Sequence, residues 1–204
     1  MIKILAQRTR YLTVVAEDFH DPHNASALLR TCEALGIQDV HIVENFNTFK
    51  ARVGAASGAM RWVTLHQYDD PTQANTLACY QKLRSRGYLI VATSPHTEAL
   101  PPEAIPLDQK LAVCFGSERY GVSETTLQNA DFQLKIPMAG FVESLNVSVS
   151  AAMSLYVLMR RLRTSDIDWE LSDREKLKLR LDWLRHSARN SDALERYFWA
   201  HREP

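Results

Sequence analysis

Apolar-rich runs of strand length recur along the chain at Leu12-Thr13-Val14-Val15-Ala16, Val40-His41-Ile42-Val43, Trp62-Val63-Thr64-Leu65, Tyr88-Leu89-Ile90-Val91-Ala92-Thr93, Leu111-Ala112-Val113-Cys114-Phe115 and Phe132-Gln133-Leu134-Lys135-Ile136. Most are continuous rather than alternating, which is the pattern of strands covered on both faces. Helical stretches separate them. Asp21-Pro22-His23-Asn24 supplies a proline and capping residues before a helix from Ala25 to Leu35, with Gly36 as its stop, and a second helix is expected from about Thr72 to Arg86. Strands alternating with helices predict an α/β fold, a mainly parallel sheet with helices on both faces. Beyond Thr164 no strand candidate remains, and residues 165–204 are expected to be a helical C-terminal extension, too small to bury a core alone.

One stretch resists this scheme. Ser144-Leu145-Asn146-Val147-Ser148-Val149-Ser150 alternates as a half-buried strand does, yet the apolar segment through Met159 follows without a break, as in a buried helix. If the helix prevails, Ser144 and Asn146 lie at its start, beside free backbone N–H groups. Periodicity leaves both readings open.

At 204 residues, 46% of them hydrophobic, the chain suits one main core. Its 24 Lys and Arg balance 24 Asp and Glu, so an anionic partner must be held by a local patch rather than by a global field. Cys32, Cys79 and Cys114 are far apart and lack C-x-x-C spacing, which suits buried free thiols better than a metal or redox site. No apolar stretch has the length of a membrane span, so a cytoplasmic protein without membrane contact is expected.

The common nucleotide fingerprints are missing: there is no G-x-G-x-x-G after the first strand and no P-loop. No histidine pair has metal spacing, so no metal is expected, and no G-x-S-x-G elbow supports a serine hydrolase. Three segments remain. Asn24 to Arg30 places both residues on roughly the same side of a helix. Phe115-Gly116-Ser117-Glu118-Arg119-Tyr120-Gly121 follows a buried strand, where two glycines permit close backbone approach to a ligand and open α/β sheets bind theirs. Ile136-Pro137-Met138-Ala139-Gly140 leads into Ser144-Leu145-Asn146. Each alone also reads blandly, as a cap with a surface charge, a tight turn, or a loop.

Together, N-x-x-x-x-x-R, F-G-x-E-x-x-G and I-P-M-x-G-x-x-x-S-L-N-V-S-V resemble, in order and separation, the three motifs of the SpoU/TrmH branch of the SPOUT RNA 2′-O-ribose methyltransferases. The resemblance covers about Leu12 to Leu162. It implies a methyltransferase domain at 12–164 behind an N-terminal extension of residues 1–11, with a C-terminal trefoil knot at about 110–164. It implies a homodimer with active sites at the subunit interface. S-adenosyl-L-methionine is the implied cofactor, held among the loops after three strands by Thr93, Gly116, Ile136, Met138 and Leu145. It assigns the chemistry to Arg30, Asn24, Glu118, Ser144 and Asn146. Because a free guanidinium is almost never a base, Arg30 is expected to grip a phosphate and stabilise the developing alkoxide, with proton removal by the phosphate or by Arg30 both open, and Glu118 to orient Arg30 or hold the ribose and the loop.

A neutral protein acting on RNA needs a local basic surface. Arg160, Arg161, Arg174, Lys178 and Arg185, interleaved with Trp169 and Trp183, are expected to follow phosphates while aromatics stack on bases, with Arg8 and Arg10 adding to the N-terminal side. The alternative is a helix that packs Leu177, Leu181 and Leu184 on a partner. The flanking extensions resemble those of the enzymes that methylate guanosine 18 in the tRNA D-loop. The rivals are the tRNA wobble position, ribosomal RNA, or a non-catalytic RNA-binding dimer.

Overall fold

A computed structural model describes residues 1–51, 57–95 and 99–201; Arg202 to Pro204, the end of the expected extension, lie outside it. Its centre is a six-stranded sheet, all parallel, in the order β3-β2-β1-β5-β4-β6. The strands are β1 (Leu12–Glu17), β2 (Asp39–Val43), β3 (Thr64–Tyr68), β4 (Tyr88–Thr93), β5 (Lys110–Phe115) and β6 (Phe132–Leu134). The inner strands β1, β2 and β5 are buried almost throughout, as their unbroken apolar runs require. β3 begins two residues later than its apolar run and carries His66 and Gln67, because edge pairing with β2 sets its register. Trp62 instead ends a turn and packs edge-on to Trp183 at 5.5 Å.

Short α1 (Ile2–Leu5) precedes the sheet, and α2 (Pro22–Leu35) follows β1. Asp21 caps α2 by accepting from the His23 N–H at 2.8 Å, and Gly36 ends it at φ 82°, where a Cβ would lie 2.3 Å from the Gln7 carbonyl oxygen. The remaining helices are α3 (Ser57–Met60), α4 (Asn75–Arg84), α5 (Glu124–Asn129), α6 (Val147–Arg163), α7 (Asp173–Ser187) and α8 (Ser191–Ala200). The alternating Ser144–Ser150 stretch leads into α6, whose N-cap is Asn146. Leu155, Leu158, Met159 and Leu162 on α6 join Leu28 and Leu29 on α2 in the main core over one face of the sheet. A second core, under α4, holds Cys79 and Cys114. All three cysteines are free and buried, and burial pushes the Cys32 and Cys79 thiols up to about 12. Among the described residues no helix is long and apolar enough to cross a membrane.

α7 opens with a capping box, Ser172 with Glu175, and buries Leu179 and Trp183 against Leu5 and Leu171. α8 has no buried residue.

At the end of β1, two neighbouring carboxylates tie opposite loops. Glu17 is buried with no ion pair among the described residues and accepts from Thr76 Oγ1, Ser123 N–H and Ser123 Oγ, each at 2.8 Å, and from Thr126 Oγ1 at 2.9 Å. Asp18, at φ 53°, takes the N–H groups of Asn45, Phe46 and Asn47 on one oxygen. Several donors around one carboxylate make burial of its charge tolerable.

Candidate functional site

A cleft of about 570 Å³ opens at the carboxyl ends of β4, β5 and β6. This is the edge at which open α/β sheets hold ligands, and the volume suits a small molecule. The loops after those strands wall it with Thr93, Ser94, Gly116, Ser117, Ile136 and Met138, and the approach to α6 closes it with Ser144, Leu145 and Asn146. All five expected cofactor residues therefore border one cavity, with Glu118, Ser144 and Asn146 at the same cavity.

Gly116 borders the cleft for a reason other than the one its sequence suggests. A Cβ there would lie 2.0 Å from the carbonyl group of Gly121, within the chain's own loop. The loop closes on itself: Gly121, at φ 70°, donates its N–H to the Ser117 carbonyl at 2.9 Å, and the Tyr120 N–H reaches Ser117 Oγ at 3.2 Å. The missing side chain makes room for the loop's own backbone. Glu17 holds the exit of this loop through Ser123, the N-cap of α5.

The polar residues of the three segments meet in one hydrogen-bonded line. Glu118 accepts from the N–H groups of His20 at 3.2 Å and Asp21 at 3.3 Å, and from Asn24 Nδ2 at 2.9 Å. Asn24 Oδ1 accepts from Asn146 Nδ2 at 3.1 Å. Asn146 Oδ1 in turn caps α6, taking the Ser148 N–H at 2.9 Å and Ser148 Oγ at 2.6 Å. The polarity of this line is forced. An ionised carboxylate only accepts, so the NH₂ of Asn24 must face Glu118, its oxygen must face Asn146, and only the oxygen of Asn146 is left for the cap. Asn146 thus has no free acceptor for a ligand; one N–H remains.

Arg30 stands apart. It is exposed on α2 and outside the cleft lining, and no hydrogen bond or ion pair among the described residues joins it to Glu118. Of the two expected roles of Glu118, orienting Arg30 is not seen within this chain: the carboxylate is occupied by the start of α2 and by Asn24. Asn24 is buried behind the wall and holds Glu118 rather than facing the cavity, so it does not share a side of α2 with exposed Arg30 as expected: six residues at roughly 100° each leave the two about 120° apart.

The expected RNA surface needs larger corrections. Arg8 is only 1% exposed; its guanidinium pairs with Glu33 at 2.8 Å and lies over the Trp183 ring at 5.3 Å. Burial pulls its pKa below the ordinary value against the opposing pull of Glu33. A charge that deep survives only because it is paired, and it cannot meet a phosphate. Trp183, 3% exposed, is likewise closed to a base. Arg10 bridges Asp39 and Glu175, so its charge ties β2 to α7. Arg161 donates to the carbonyls of Pro102 at 2.6 Å and Ile105 at 2.8 Å, and Arg185 pairs with Glu195 and Asp182. Arg160, Arg174 and Lys178 remain exposed with no ion pair among the described residues. Leu177, Leu181 and Leu184 are exposed, since α7 turns Leu179 and Trp183 inward instead.

Sequence reasoning missed Ser150 and Ser154, which border the cleft one and two turns beyond Asn146 on the same face of α6. The helical period would have found them had the helix been known to start at Val147. Arg119 and Tyr120, at the loop tip, were also passed over.

Fold and site together define an α/β protein with a ligand cleft at the carboxyl edge of a parallel sheet and a helix N-cap at its rim. Residues 11–156 match the model of the SpoU rRNA Methylase family, and the chain belongs to that family. It is 40% identical over 193 residues to a tRNA (guanosine(18)-2′-O)-methyltransferase of Borreliella burgdorferi, covering 95% of this chain and 86% of the relative. It is 38% identical over 185 residues to the Thermus thermophilus protein of the same name, covering 90% and 93%. The crystal structure of an A. aeolicus TrmH/SpoU tRNA modifying enzyme superposes with a TM-score of 0.79 at 28% identity, covering 92% of this chain and 94% of that one.

Proposed function

We propose that the protein transfers a methyl group from S-adenosyl-L-methionine to the ribose 2′-hydroxyl of guanosine 18 in the D-loop of tRNA. The observation that carries this reading is the Glu118–Asn24–Asn146 line, which gathers three distant segments at the rim of one ligand-sized cleft. The names of relatives that match nearly the full length of the chain support the tRNA substrate.

The residues present suit the cofactor. The cleft offers apolar walls from Leu134, Ile136 and Leu145 and, in its lining, a buried Ser154 hydroxyl that no group among the described residues satisfies. Thr93, Gly116, Ile136, Met138 and Leu145 would hold it. When bound, it supplies an electrophilic methyl on a sulfonium. The chain's own task is to bring the ribose oxygen into line, a positional gain of roughly 7–11 kcal/mol, and to let its proton leave. Glu118 holds the loop beneath the substrate, Ser144 and the free N–H of Asn146 orient the ribose, and Arg30 grips a phosphate.

Since Arg30 lies outside the cleft of its own chain, this reading requires a second copy. The exposed side of α2 and α6 suits one: Thr31, Ala34, Leu35, Ala152, Met153 and Tyr156 line a shallow, almost wholly apolar hollow of about 400 Å³, and Arg30 sits one turn before Ala34 at its edge. A homodimer through this face would set Arg30 at an interfacial active site. We propose the trefoil knot at about 110–164 as well; the insertion of β5 between β1 and β4 supports it. Arg160, Arg174 and Lys178 are the proposed phosphate contacts.

The test is to incubate the protein with total tRNA and radiolabelled donor and to map the 2′-O-methyl group. Label at guanosine 18 is expected. Label at the wobble position, or in ribosomal RNA with tRNA unlabelled, overturns the substrate. Near-full activity in Arg30→Lys would refute a need for the planar guanidinium.

A further inference from the structure

We propose that Ser154 is a ligand contact of the cleft, its hydroxyl completing a hydrogen bond with a polar edge of the bound molecule. The proposal rests on the cofactor reading above and extends it to a residue that none of the three motifs contains.

Ser154 is fully buried in the middle of α6, and its Oγ has no hydrogen-bond partner among the described residues. A serine at such a place ordinarily turns its hydroxyl back to the carbonyl one turn earlier, here that of Ser150, and no such bond forms. Leaving a buried hydroxyl unpaired shifts the folding equilibrium unfavourably by roughly tenfold or more, whereas an apolar residue of similar size would cost nothing there. The position is not walled in by core on every side. Ser154 borders the cleft, on the face of α6 that also carries Asn146 and Ser150. Its helix neighbours Ala151, Leu155 and Leu158 are apolar core residues with no side-chain donor or acceptor to offer, which leaves the cleft as the side from which a partner can come. The hydroxyl can both donate and accept, and one χ1 rotation re-aims it without moving the helix. It therefore suits a heterocycle edge or a ribose oxygen, either of which S-adenosyl-L-methionine presents. In the ligand-free chain the hydroxyl is a liability; in the complex it is a contact.

That pair of roles gives opposite signs to one substitution. Ser154→Ala is compared with the wild type by thermal unfolding without ligand and by calorimetric titration with S-adenosylhomocysteine. The ligand-free variant should melt at the same temperature or higher, while its Kd for S-adenosylhomocysteine rises about tenfold. An unchanged Kd overturns the proposal, because the hydroxyl would then be merely unsatisfied. A ligand-free melting point several degrees lower overturns it too, because the hydroxyl would already have a partner in the chain. Failure of the wild type itself to bind S-adenosylhomocysteine would instead remove the cofactor reading, and this contact with it.

Discussion

Asn24→Asp is nearly isosteric, yet the hydrogen-bonded line at the cleft rim makes it a severe change. The aspartate variant could still accept from Asn146, but it could not donate to Glu118, 2.9 Å away in the native chain. A bond to a charged acceptor contributes about 1.5–3 kcal/mol, and the low end applies because Glu118 is exposed. Two carboxylates roughly 3 Å apart add a repulsion of roughly 1–5 kcal/mol for effective dielectric constants between those of water and a protein surface. The expected loss is about 2.5–6.5 kcal/mol. Asn24→Ala removes both bonds but introduces no charge, for a loss of about 2–3 kcal/mol. Urea unfolding at pH 8 measures both, with unchanged m-values showing that the comparison is clean. Lower stability with aspartate than with alanine is the signature of an amide whose NH₂ end faces the carboxylate. An aspartate variant at least as stable as the alanine variant would refute the polarity assigned to the whole line.

Burial, reinforced by the charge of neighbouring His66, pushes the His41 imidazole down to about 3. An unfolded histidine titrates near ~6.5, so the stability from keeping His41 neutral is complete above that pH and is lost as pH falls toward 3, at up to ~1.4 kcal/mol per pH unit. His41→Asn should flatten the pH dependence of the urea midpoint between about 6.5 and 5.5, a window above the range in which ordinary carboxylates titrate. Gly116→Ala places a methyl against backbone that cannot yield; it should cost about 3 kcal/mol in thermal unfolding and abolish S-adenosylhomocysteine binding in any folded fraction. Arg8→Ala should destabilise by roughly 3–5 kcal/mol, by breaking a largely buried pair, while leaving the folded protein's affinity for tRNA unchanged in filter binding. Lys178→Ala should do the reverse, with a salt slope shallower by about 1 and an unchanged melting temperature.

The central strands were legible because each is an unbroken apolar run, and α2 because Asp21, Pro22 and Gly36 mark its ends chemically. β3 was misplaced by two residues: Trp62 looks like strand on hydrophobicity but is claimed by Trp183 of a distant helix. The start of α6 could not be read from periodicity, since what makes Asn146 a cap is its orientation toward Ser148 while its other end holds Asn24. The cleft residues were found through the composite of three motifs, which no single segment would have supported. Charge misled most. Arg8 and Arg10 stand in a polar N-terminal stretch that suggests a surface, yet Glu33, Asp39 and Glu175 lie within reach only after folding. Likewise nothing in the sequence shows that backbone N–H groups before α2 occupy the Glu118 carboxylate within the chain.

The line from Glu118 through Asn24 to Asn146 joins residues 94 and 122 positions apart in sequence. Contacts of such separation form late, since the intervening chain must be ordered before they contribute. A ribosome-bound chain that has exposed β1, α2, β5 and the loop after it already possesses Asn24 and Glu118, but it lacks the residue that closes the line. The hydrogen-bonded line at the rim of the cleft cannot close on any fragment that ends before Asn146.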